Sequence, residues 1–268
     1  MKHTLPDGNQ LYYEVQGSPN AAQTLVFLNG LTQTTTAWAG VAFTLGKKYK
    51  LVLVDLLFQG KADAAPEPRS FEAHAADLAH LLQALQLPEI ILVGISFGGA
   101  VAQRVLVNNP ELVQAGVLLS TFAYRDTYFK AICHTWEAAL EAGGTALMVD
   151  VMLPMVLSRS YFLKPIISIE KLRGSKANQS LINENVLHQL AAIKESGNYL
   201  EELKGVQLPV MLVHGEEDLL CPAEMGKAMA DVLPNAQLET IPKAGHTLNL
   251  EAVPALTRLI DAFATSVK

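Results

Sequence analysis

Cysteine is scarce in this sequence, with only Cys133 and Cys221 present and the two far apart. Neither sits in a C-x-x-C or metal-type spacing, which argues against a disulfide framework and against a metal site. Basic clusters are missing as well. The net charge is -6, and Lys and Arg form no block or stripe on which nucleic acid could dock. The opening residues MKHTLPDGNQ hold no apolar stretch, so a signal peptide is not expected. Runs of about eighteen apolar residues are everywhere broken by Gly, Gln, Arg or Asn, and no membrane insertion is expected. Nucleotide signatures are also lacking. There is no Walker A motif, and GISFGG lacks both the glycine register and the distant ribose-binding acid of a dinucleotide turn. These absences leave a cytoplasmic protein whose expected partner is a small molecule.

What the chain has in quantity is apolar sequence, at 50% of its residues. Strands hidden on both faces read as continuous Val/Ile/Leu runs and produce such an excess. Turn chemistry in PDGN (Pro6 to Asn9), followed by the alternating QLYYEVQ, predicts an antiparallel hairpin. Short apolar runs then alternate with helical-period segments: TLVFLN, YKLVLVDL, EIILVG and LVQAGVLLS on one side, Phe71 to Leu85 and Ala100 to Val107 on the other. The alternation predicts an α/β fold with a mostly parallel sheet and helices on both faces. From Phe122 to Leu203 the rhythm stops and helical patterns dominate, then it resumes at LPVMLVHG. Residues 1–121 and 204–268 therefore read as one sheet domain, interrupted over 122–203 by a helical cap insertion.

Gly94-Ile95-Ser96-Phe97-Gly98 fits G-x-S-x-G between a strand pattern and a helix pattern, the context a nucleophile elbow requires. A nucleophile raised on so sharp a turn leaves no room for side chains two positions either side, and glycine removes both collisions. A serine hydroxyl also needs a base. His3, His74, His80 and His188 lie in terminal or helical-surface contexts and read as solvated, while no local motif supports His134. His214 ends a strand beside Gly215, as a packed strand-end residue would. His246, in the short loop PKAGHTLNLE before the last helix, is the candidate base. The acid that would hold its tautomer is expected in HGEEDLLCP. Asp218 is favoured by the chain order Ser…Asp…His, with Glu216, Glu217 and, more distantly, Asp126 as rivals. Two amides are needed for a tetrahedral oxyanion. Those of Phe97, directly after the serine, and of Leu31, in the loop Asn29-Gly30-Leu31-Thr32, are the candidates. Asp55 and Lys61 read as structural partners. Met152, Met155 and Phe122 are candidates to line an apolar substrate pocket, although methionines and aromatics such as Tyr161 and Phe162 most often mean helix packing.

The elbow, the HGEED acid loop and the AGH loop together resemble the α/β-hydrolase superfamily over nearly the whole chain. The resemblance implies a Ser96–His246–Asp218 triad, an oxyanion hole from Leu31 and Phe97, and no cofactor. It also implies an esterase-type hydrolase acting on a small-to-medium, largely apolar acyl ester, thioester or lactone. Two loops depart from the common pattern: Asn29-Gly30 stands where many members have His-Gly, and Asp55-Leu-Leu-Phe-Gln-Gly60 replaces D-x-P-G-x-G. Those loops are locally similar to 3-hydroxyacyl transferases, the group that includes the rhamnolipid-precursor synthase, and transfer is the alternative activity. Both activities begin by acylating Ser96 and differ in whether water or a bound alcohol follows. A non-catalytic ligand-binding protein on the same fold is the reading from another class.

Overall fold

A computed structural model describes residues 1–267. Its strands are β1 (Lys2–Thr4), β2 (Gln10–Gly17), β3 (Thr24–Leu28), β4 (Lys50–Asp55), β5 (Ile90–Ile95), β6 (Ala115–Leu119), β7 (Val210–Gly215) and β8 (Ala236–Ile241). They form one sheet in the order β1-β2-β4-β3-β5-β6-β7-β8. The PDGN turn joins β1 to antiparallel β2, β2 runs antiparallel to β4, and every other neighbouring pair is parallel. Strand β3 lies between β4 and β5, so the connections leave it in opposite directions. The crevice outside the carboxyl ends of β3 and β5 is thus the switch point where sheets of this type bind ligands.

Alternation along each strand sorts side chains between two cores. Val26, Leu28, Val52, Val54, Leu92, Leu118 and Leu212 face one core, which also takes α2 (Phe71–Leu85), α3 (Phe97–Asn108) and α10 (Ala223–Ala230). Leu25, Phe27, Leu51, Leu53, Val93, Val117 and Val213 face the other, closed by α1 (Ala39–Leu45), α11 (Leu248–Glu251) and α12 (Val253–Ser266). The unbroken apolar runs follow from this burial on both faces.

Between β6 and β7 every regular element is a helix: α4 (Thr127–Val156), α5 (Arg159–Leu163), α6 (Ile169–Arg173), α7 (Lys176–Gln179), α8 (Asn183–Glu195) and α9 (Leu200–Leu203). Helix α4 is, among the described residues, the one helix long and apolar enough by composition to cross a membrane, with an 18-residue window of mean hydropathy 1.4. The element is nevertheless broken. Gly143 (φ −149°, ψ 17°) and Gly144 (φ 67°, ψ −168°) leave helical geometry, and Gly144 occupies a region that only glycine enters freely. Each arm falls short of the ~20 residues that cross a hydrocarbon core. Phe129, Trp136, Met148 and Met152 instead bury one face of α4 in the protein. At the far end of the segment, α9 packs on α3 and α10.

Candidate active site

Ser96 stands between β5 and α3 with φ 52° and ψ −114°, a strained conformation for a residue with a Cβ. Its neighbours allow the turn. A Cβ at Gly94 would come within 2.8 Å of the Gly99 Cα, and one at Gly98 would meet the Leu28 and Asn29 carbonyl oxygens at 2.5 and 2.7 Å. The strained residue is held by its own backbone. Its N–H donates to the Leu119 oxygen at 2.9 Å, and its carbonyl accepts from Thr121 Oγ1 at 2.7 Å. The amino end of α3, where the helix dipole is positive, begins at the next residue.

His246 faces the same cavity as Ser96. Its Nδ1 lies 2.9 Å from Asp218 Oδ2, while Asp218 Oδ1 accepts from the Leu220 and Cys221 amides at 2.9 Å each. Two fixed amides orient the buried carboxylate, the carboxylate takes Nδ1, and Nε2 is left as the free ring nitrogen. The rival acids serve elsewhere. Glu217 accepts from Ser160 N and Oγ, contacts that hold its carboxyl below the usual range. Glu216 accepts from Lys243 N, and Asp126 caps α4 through Phe129 N. The histidine loop is tied to the helical segment through its backbone, with His246 N donating to the Val156 oxygen at 2.9 Å. Glu251 secures the same junction by accepting from Ser158 N, Gly245 N and Thr247 Oγ1.

The Leu31 and Phe97 amides donate to no protein acceptor among the described residues. Gly30 brings their loop against the elbow, for a Cβ there would sit 3.6 Å from the Ser96 Cβ. Asn29, in the usual histidine position, is a buried junction: Nδ2 donates to the Val54 oxygen and Asp55 Oδ1, and Oδ1 accepts from Trp38 Nε1. Asp55 also accepts from Thr35 N and Lys61 N. Burial raises its pKa, an effect those donors oppose. Asp55 and Lys61 are thus structural partners, joined through the Lys61 backbone while its ammonium reaches Tyr12 Oη.

The cavity over Ser96 is lined mainly by apolar side chains with a few polar groups, as small-molecule sites commonly are. The helical segment contributes Phe122, Phe129, Trp136, Met152, Val156 and Ile193, and Leu220 closes one side. Met155 is not part of this wall. It is a partly buried residue packed against the core, off the stripe formed by Met148, Val149, Met152, Leu153 and Val156. His214 is a packed residue, with Nδ1 at 2.9 Å from the Cys221 oxygen and its pKa lowered by burial. His134 is exposed. His74 corrects the sequence reading: it is fully buried, its ring lies edge-on to Phe97 and Phe58, and neither nitrogen has a partner. Burial, and secondarily the Arg69 charge, push its pKa down to about 3. The pattern missed Gln59 and Gln189, two buried amides beside the Leu31 loop whose contact spans 130 positions of sequence.

Residues 25–258 match a family profile described as the Alpha/beta hydrolase family. A RutD protein of Caulobacter sp. (strain K31), provisionally named a carbamate hydrolase, is 27% identical over 267 residues, spanning 94% of this chain and 95% of that protein. Among solved structures, a thermophilic esterase from Thermogutta terrifontis is similar with a TM-score of 0.89 at 25% identity, covering 100% of this chain and 98% of that one. The enol-lactonase of Burkholderia xenovorans LB400 shares the fold with a TM-score of 0.90 at 20% identity, over 99% of this chain and 100% of that one.

Proposed function

This chain belongs to the alpha/beta hydrolase family, and from that premise we propose that it is a serine hydrolase of the carboxylic-ester type. The observation that carries the proposal is convergence on one apolar cavity. Ser96 on its strained elbow, Leu31, and His246 with its Nδ1 paired to Asp218 all line it, and the Phe97 amide directly follows the serine. His246 Nε2 takes the Ser96 proton, and Oγ attacks the carbonyl carbon. The Leu31 and Phe97 amides stabilise the resulting oxyanion. Asp218 keeps Nδ1 protonated and stabilises the imidazolium, which then protonates the leaving group. Water activated by the same nitrogen releases the acyl-Ser96 intermediate.

The substrate is a small-to-medium, neutral, largely apolar acyl ester, thioester or lactone. No Lys, Arg, Asp or Glu lines the cavity among the described residues, so an anionic substrate would find no counter-charge. The helical segment acts as a cap, and its Phe122, Phe129, Trp136 and Met152 form the acyl pocket.

Labelling with a fluorophosphonate, followed by a short- and medium-chain p-nitrophenyl ester panel, tests the proposal. Labelling and hydrolysis are expected in the wild type and absent in Ser96→Ala. A folded wild type that neither labels nor hydrolyses any ester would refute it. Repeating the panel with an added 3-hydroxy acid separates hydrolysis from acyl transfer.

A further inference from the structure

We propose that Gln59 is a positioning residue for the oxyanion pocket, and that Gln189 of α8 makes its action depend on a seated cap. The inference rests on the serine-hydrolase reading above.

A trans peptide is planar, so its C=O and N–H point to opposite sides. The Leu31 N–H belongs to the same peptide as the Gly30 carbonyl, and whatever fixes one aims the other. The Gly30 oxygen accepts from Gln33 N at 3.1 Å and from Gln59 Nε2 at 3.3 Å. Outside support is needed here, because Thr32, the next residue but one, holds a positive φ of 64°.

Gln59 cannot turn its amide freely. Its Oε1 accepts from Leu56 N at 3.2 Å and Asn29 Nδ2 at 3.4 Å, and its second Nε2 proton goes to Gln189 Oε1 at 3.3 Å. Both Nε2 protons and the Oε1 of the Gln59 amide are therefore engaged, with the Asn29 contact a shared one because that amide's two protons already go to the Val54 and Asp55 oxygens. Gln189 is oriented in turn, its Nε2 donating to the Phe58 and Asn185 carbonyls at 3.3 and 3.2 Å. Backbone donors and acceptors fix which way both amides face. Both side chains are buried, at 2% and 1% exposure, so a broken Gln59–Gln189 contact leaves an unpaired group out of reach of bulk water. Lifting α8 from the loop after β4 would loosen Gln59 and with it the aim of the Leu31 amide. Full oxyanion stabilisation is thereby reserved for the closed cap.

The test uses the full chain, with Gln59→Leu and Gln189→Leu assayed on p-nitrophenyl butyrate. Since deleting an oxyanion donor lowers kcat by about 10²–10³, mis-aiming one should lower it by about tenfold in Gln59→Leu, with KM within about twofold. Gln189→Leu should follow the same direction more weakly, and the double variant should be no worse than Gln59→Leu. Affinity for an alkyl trifluoromethyl ketone, whose serine adduct carries the oxyanion, should fall in step with kcat. The proposal is overturned by a folded Gln59→Leu with unchanged kcat, or by a kcat loss that leaves ketone affinity intact. If Gln59→Leu does not fold, Gln189→Leu decides by the same criteria. Hydrolysis surviving in Ser96→Ala would sink the serine-hydrolase reading itself. Loss in Ser96→Ala beside normal glutamine variants would sink only this inference.

Discussion

Replacing His74 by Leu removes a buried imidazole and keeps roughly its volume. The folded protein holds this ring neutral, with a pKa of about 3 set first by burial, whereas the unfolded chain exposes it at the model-peptide value of 6.5. Because the folded value is depressed, the stability linked to His74 is fully present above pH 6.5 and is lost as pH falls through that value. At pH 5.0 the unfolded state binds nearly one more proton at this site. Integrating the linkage from pH 7.5 to 5.0 gives a loss of about 2 kcal/mol, almost independent of how far below 5 the folded value lies. Urea unfolding at the two pH values, wild type against His74→Leu, isolates the effect because other groups titrate in both proteins. Asp77, raised to about 6 by burial, acts with the opposite sign in each and cancels. The variant should lose about 2 kcal/mol less than the wild type on acidification. At pH 7.5 it should be at least as stable, since two unpartnered buried nitrogens disappear. Parallel losses in the two proteins would refute the reasoning, and would mean that His74 keeps a proton partner in the fold.

Two further substitutions probe the elbow and the pocket. Gly99→Ala places a Cβ 2.6 Å from the Thr121 Cβ and Oγ1, the hydroxyl that holds the Ser96 carbonyl. Overpacking of this kind should destabilise by about 1–3 kcal/mol and reduce ester turnover, and an unchanged thermal midpoint with full activity would count against the packing argument. Trp136→Ala empties one wall of the cavity, so kcat/KM on the p-nitrophenyl panel should move toward longer acyl chains. Stability should fall by about 3–5 kcal/mol, and an unaltered chain-length preference would remove Trp136 from the acyl pocket.

The parts of the fold legible in the sequence are those where local sterics or periodicity leave one solution. Gly94 and Gly98 flank a serine because nothing larger fits, and strands β3 to β7 are continuous apolar runs because both faces are covered. His74 was legible too. Phe71, His74, Ala75, Leu78, Leu81 and Leu82 form one helical stripe, and a polar residue type concealed a buried position. The same periodicity separates Met152 from Met155. Gln59 and Gln189 had no local signal, since a hydrogen bond between distant segments follows no spacing rule. Chain order alone favours Asp218 over Glu216 and Glu217, and the physical reason is visible only in the structure, where the Leu220 and Cys221 amides orient its carboxylate toward His246.

The bond from His246 N to the Val156 oxygen limits how this enzyme can be recombined with its relatives. A chimera that exchanged residues 122–203 wholesale would import a foreign anchor for the histidine loop along with a new pocket. The contact is made by a carbonyl, so it depends on backbone placement at 156 and not on which side chain stands there. A crossover after Ser158, leaving the Glu251 clasp on Ser158 N intact, would keep the native anchor while α5 to α8 are exchanged. The arm of α4 after Gly144 is better counted with the sheet domain as a unit of inheritance, whatever the cap above it becomes.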